Sequence, residues 1–167
     1  MTVTPARLIR TLATLAAAFL MLGLAAPSPA LACTLCSCTA TASAASFGTY
    51  NPVSTAPTDT TATITVNCTG LVSLLGSVEI SASAGASGNR AERTLRQGGN
   101  ALAYNLYTDP ARTIVFGDGT AGTQNITLPL NGLLIFGQSA LVHGRIPARQ
   151  WARTGSYADT IVVTIVY

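Results

Sequence analysis

Four cysteines, one histidine and six carboxylates are the side chains of this chain whose types could carry chemistry. Cys33 and Cys36 are spaced C-x-x-C, which suits a dithiol redox site or half of a zinc site. The redox reading needs a thioredoxin-like βαβ frame, and no such pattern surrounds them. The zinc reading needs four ligands, and His143 is the only histidine. A Ser/His/Asp set could be assembled around His143, but no nucleophile elbow or paired-carboxylate spacing accompanies it. Asp109 and Asp118 stand in turn sequences, where Asp bonds to nearby backbone. Asp159 begins a strand pattern. His143, opposite in face to Val142 and Gly144, reads as a surface residue. No catalytic residue, metal site or cofactor is expected. The cysteines Cys33, Cys36, Cys38 and Cys68 allow two disulfides, in three possible pairings, in an oxidising compartment.

The first residues point to such a compartment. Arg7 and Arg10 precede an apolar run over 12–26, and Ala30-Leu31-Ala32 is an A-x-A cleavage site. Residues 1–32 therefore read as a secretion signal. Pro27 and Pro29 break the run, which argues against a membrane helix. Ala30 stands where a lipoprotein signal has Leu before the cysteine, which argues against lipidation. Residues 33–167 then form one domain of 167 − 32 = 135 residues. They carry seven Arg, four Asp, two Glu and no Lys, a net charge of +1. This is no nucleic-acid or anionic-membrane surface.

Those residues must be positioned by strands. Short alternating runs at 38–47, 60–68, 78–84, 101–107, 113–116, 122–128, 140–146 and 157–167 are separated by turn signals. Asn51-Pro52, Gly98-Gly99-Asn100, Asp109-Pro110, Gly117-Asp118-Gly119 and Asn131-Gly132 mark the turns. The expected fold is an all-β antiparallel sandwich without a helix. In the last run, Tyr157, Asp159, Ile161, Val163, Ile165 and Tyr167 share one face. Such a strand is apolar enough to sit inside a sheet, and nothing follows it in the sequence. The expectation is a sandwich lacking its last strand, with an open edge at Ile161, Val163 and Ile165 that must pair with something. Two apolar stretches exceed sandwich patterning. One holds Leu71, Val72, Leu74 and Leu75, between two strands. The other holds Leu130, Leu133 and Leu134 near a hairpin tip at Asn131-Gly132. Either they lengthen core strands or cover the groove, or they form exposed adhesive loops.

Ordered motifs complete the reading: Cys38 nine residues before Phe47-Gly48-Thr49-Tyr50-Asn51-Pro52, then Thr63-Ile64-Thr65-Val66-Asn67-Cys68, Leu102-Ala103-Tyr104-Asn105-Leu106-Tyr107-Thr108-Asp109, Gly117-Asp118-Gly119-Thr120, Gly144-Arg145-Ile146-Pro147-Ala148 and Gly155-Ser156-Tyr157-Ala158-Asp159-Thr160. In this set and order the chain resembles the spore coat protein U domain family, the subunit domain of archaic chaperone–usher pili. The resemblance implies an incomplete immunoglobulin-like sandwich. A periplasmic chaperone would hold it, an outer-membrane usher would assemble it, and neighbouring pilus subunits would complete it by strand addition. It also implies a Cys38–Cys68 disulfide, leaving Cys33 and Cys36 to pair locally or with another chain. Export would run through the inner membrane to the periplasm, then to the cell surface or beyond. Only five residues would precede Cys38 after cleavage, too few for a donor strand, so the chain is expected to accept a strand and not to give one. The implied role is attachment or biofilm formation. The alternative is a free-standing secreted coat or binding protein that does not polymerise.

Overall fold

The computed structural model describes residues 36–167, with the backbone alone for 71–75 and 131–134. The expected signal at 1–32 and Cys33 lie outside them. Six strands carry the fold: β1 (Cys36–Ala42), β2 (Thr58–Ala82), β3 (Arg93–Gln97), β4 (Asn100–Tyr107), β5 (Ile126–Ile146) and β6 (Val163–Val166). Among the described residues a single 3-10 turn spans Gly85–Ser87. The six strands pair antiparallel, in the order β1-β2-β5-β4-β3, with β6 on β2. The architecture is the expected all-β one. No helix among the described residues is long and apolar enough to cross a membrane.

β2 explains most of the core. Its β-branched alternation buries Ala62, Ile64, Val66 and Cys68, and further along Val78, Ile80 and Ala82. Leu102, Tyr104 and Leu106 of β4 and Phe136, Ala140, Val142 and Ile146 of β5 close on them to form one core. β2 is 25 residues long, far beyond an ordinary strand. It works as two strands in series. Its first half lies between β1 and the end of β5, and its second between the start of β5 and β6. A register shift between Thr69 and Ser73 separates the halves.

Here the structure corrects the sequence reading. Residues 71–75 are no loop between strands, and Asn131-Gly132 makes no hairpin. Leu74 pairs with Gly132 and Leu75 with Asn131, inside the second half of the β2–β5 ladder. The local turn signal is overridden by backbone pairing between the two segments. Leu130 is 2 % exposed and belongs to the core, not to an exposed tip. The side chains of Leu71, Val72, Leu74, Leu75, Leu133 and Leu134 lie outside what is described. Residues 113–116 form bridges only, Tyr107 to Val115 and Phe116 to Gln124, where a strand is expected.

Cys38 and Cys68 are directly opposite in the β1–β2 register and form a disulfide, with Cα atoms 4.0 Å apart. Cys36 is also disulfide-bonded.

Candidate functional site

Between two extended, largely unladdered segments lies a groove of about 930 Å³. Residues 42–50 form one wall and 152–163 the other. The floor is apolar: Ile64 of β2, Leu102, Tyr104 and Leu106 of β4, Phe116, and Val142 and Ile146 of β5. Phe47 meets Tyr104 edge-on, with ring centroids 5.8 Å apart.

Strand alternation survives in both walls. Tyr157, Asp159, Ile161, Val163 and Ile165 are half-buried, while Ala158, Thr160, Val162, Thr164 and Val166 are exposed. Ala45 and Phe47 are half-buried between exposed neighbours in the same way. A wall strand of a finished sandwich would bury its inward face more fully. Ile161, Val163 and Ile165 pack against the core yet stay half-buried.

The backbone alternates too. Ala158 exchanges bonds with Arg96, at 2.8 and 3.0 Å. Val162 accepts from Ser83 N at 2.9 Å and donates to Ser83 Oγ at 2.9 Å. Tyr157, Asp159 and Ile161 make no backbone–backbone hydrogen bond among the described residues. On the facing wall, Ser43 N donates to Thr63 O at 2.9 Å and Thr60 Oγ1 to Ser46 O at 2.7 Å. Ala44, Ala45, Phe47 and Gly48 have no such bond among the described residues. Each wall thus bonds to the sheet through some residues and leaves others open. An extended peptide between the walls would meet apolar pockets below and free N–H and C=O groups beside it.

Buried polar groups fix the far wall. Tyr104 Oη donates to Asp159 Oδ2 at 2.8 Å, and Asp159 Oδ1 accepts from Ala86 N at 2.9 Å. Burial, then the bond to Asp159, pushes the Tyr104 phenol well above its ordinary value, so it stays a donor. Gly85, with φ of +66°, lies so close to the Asp159 carboxylate that a Cβ would collide with it. Arg93 is 0 % exposed. Its guanidinium donates to Ser83 O (3.1 and 2.7 Å), Arg90 O (3.2 Å), Asn105 Oδ1 (2.8 Å) and Phe116 O (2.8 Å). Ser83 is the residue that holds Val162, so Arg93 supports the wall indirectly. Burial lowers the Arg93 pKa, yet an arginine retains its charge.

The sequence reading placed Ile161, Val163 and Ile165 on one face, and all three turn toward the core here. It missed the 42–50 wall as a wall, the Tyr104–Asp159 bond and Arg93. Only the alternation of Ala45 and Phe47 could have signalled the first. His143 is half-buried on β5, opposite Thr61. Asp109 and Asp118 bond within their own turns, to Thr113 and Thr120.

The profile of the Spore Coat Protein U domain matches residues 26–164. Over 135 residues the chain is 36 % identical to Protein U of Myxococcus xanthus, covering 73 % of this chain and 70 % of that protein. Its fold is similar to a chain in the crystal structure of the CsuC–CsuE chaperone–tip adhesion subunit pre-assembly complex, from archaic chaperone–usher Csu pili of Acinetobacter baumannii. That match has a TM-score of 0.54 at 18 % identity, over 80 % of this chain and 40 % of the other. The chain thus spans about two fifths of that structure's length.

Proposed function

The chain belongs to the Spore Coat Protein U domain family, and from that premise we propose that it is a secreted, non-enzymatic subunit of an archaic chaperone–usher pilus-type assembly. It receives a strand from a partner chain in its groove and serves surface attachment or biofilm formation. The observation that carries this reading is the groove itself, with apolar floor, half-buried alternate side chains and open backbone on both walls. β-augmentation suits such a site: backbone pairing supplies affinity and alternate side chains fill the pockets. A periplasmic chaperone fills the groove first, an usher exports the subunit, and a neighbouring subunit replaces the chaperone strand. The likeness to a chain from a chaperone–tip adhesion subunit complex supports a chaperone as the first partner.

A second reading is a secreted coat protein outside any fibre, in keeping with the spore coat description of the family. Expression in cells with and without a chaperone–usher pair separates the two. The pilus reading predicts that the protein is degraded without the chaperone, and reaches surface fibres only with both. Export of an intact monomer without either partner would favour the coat reading.

A further inference from the structure

One end of the groove wall carries exposed side chains. Along 149–153 the exposure alternates: Arg149, Trp151 and Arg153 face solvent, while Gln150 and Ala152 are half-buried. Ala152 lines the groove. Gln150 pairs its amide with Ala103 N and O, both at 2.9 Å, and its own N–H donates to Tyr50 Oη at 2.7 Å. Thr154 O accepts from Gln97 Nε2 at 3.2 Å. The strip is therefore tied down on both flanks, yet Trp151 is 94 % exposed. Arg149 holds a φ of +58°, an uncommon conformation for a residue with a side chain.

The charges around it are unbalanced. Asp59 pairs with Arg145 and Arg112, and Asp118 with Arg90. Asp159 is taken by Tyr104, Glu79 by Asn125 and Glu92 by Asn89. Asp109 turns to its own loop. No acidic group among the described residues forms an ion pair with Arg149 or Arg153. Their Cα atoms, four residues apart, are separated by at most about 14 Å, with the indole between them.

The geometry points to a binding strip at Arg149, Trp151 and Arg153 for an acidic polysaccharide. The arginines are forks for carboxylate or sulfate groups, and the indole is a flat apolar face for a sugar ring. A pre-ordered strip loses little freedom on binding. The net charge of +1 over 33–167 gives no broad positive field of the kind nucleic-acid binders use. Two flanking cations suit a polymer of sparse charge. Arg153 also lines the groove, so the strip borders the place of strand addition; the titration reads sugar binding by the protein alone and does not depend on that reading.

Trp151 is the only tryptophan of the chain, so its fluorescence reports the site directly. The purified protein is titrated at low salt with oligogalacturonate, neutral dextran, single-stranded oligothymidylate and vesicles containing phosphatidylglycerol. Oligogalacturonate should shift or quench the emission, dextran should not, and the response should vanish near 1 M NaCl. R149A/R153A should weaken binding by about tenfold or more, an exposed charge pair being worth up to about fivefold. By calorimetry W151A should weaken it as well, with circular dichroism unchanged in both variants. An equal response to dextran, a tighter one to oligothymidylate or vesicles, or unchanged affinity in R149A/R153A would overturn the assignment.

Discussion

Arg93→Met should destabilise the domain more than any surface arginine replacement. Arg93 is wholly buried, and its guanidinium supplies five hydrogen bonds to four acceptors. Methionine keeps the apolar stem and removes every donor. Asn105 Oδ1 would retain Leu106 N at 2.9 Å. Ser83 O, Arg90 O and Phe116 O would lose their donors. A buried unsatisfied carbonyl costs about 1–3 kcal/mol; Phe116 is buried and the other two residues are half-buried, for a sum of about 2–6 kcal/mol. Relief from desolvating the cation offsets part of this, leaving about 2–5 kcal/mol. A domain of ordinary stability holds only about 5–15 kcal/mol, so the change is large. Urea unfolding followed by circular dichroism measures it. Because Ser83 also holds Val162, amide exchange at Val162 should accelerate beyond the global change at low denaturant. A variant within about 0.5 kcal/mol of the parent, the range of ordinary surface substitutions, would refute this account of Arg93.

Cys68→Ser should cost about 3–4 kcal/mol, from releasing a loop of 30 residues, and peptide mapping of the oxidised parent should recover Cys38 joined to Cys68. Gly144→Leu should displace Phe47, since even a Cβ there would stand 2.8 Å from its ring and 2.8 Å from Thr60 Cγ2; the melting temperature should fall. The hydrogen bonds from Arg145, above all, hold the Asp59 carboxyl below its ordinary value of 3.8. A lowered folded-state value gives stability that is present above pH 3.8 and is lost as pH falls through the folded value. Acid melting curves of Asp59→Asn should therefore lose part of the parent's decline below that pH. Residues 36–42 are fully engaged with β2, so this segment is not free to act as a donor strand. Electron microscopy of cells expressing this subunit with a chaperone and usher should show no fibres made of it alone.

The half-buried face of the last run was readable because period-two alternation survives even where one side of a strand is open. The same rule gave the inward sets at 62–68 and 102–106, which are core. It failed over 69–76 and 129–137. Gly70, Gly76 and Asn131-Gly132 punctuate the sequence like loop ends, whereas Gly70 pairs with β1 and the ladder between β2 and β5 runs through Gly76 and Asn131-Gly132. Cross-strand pairing between segments some sixty residues apart leaves no local trace. Arg93 was invisible for another reason. It sits in Ser-Gly-Asn-Arg-Ala-Glu-Arg-Thr, where every rule expects an exposed arginine, and the acceptors converging from Ser83, Arg90, Asn105 and Phe116 make its burial tolerable. The 42–50 wall is rich in Ala and Ser, so its inward side carried little hydrophobic signal beyond Phe47.

The melting temperature of the domain with a covalently linked extra strand tests the central claim most directly. A strand with apolar residues at alternate positions is joined through a flexible linker after residue 167. Three aliphatic side chains buried at about 1.5–3 kcal/mol each, less the cost of ordering the strand, should leave a few kcal/mol. That corresponds to a rise of roughly 10 °C for a domain of this size. The same strand with serine at the alternate positions should give little or none. An unchanged melting temperature with the apolar strand, or an equal rise with the serine strand, would contradict strand acceptance by this groove.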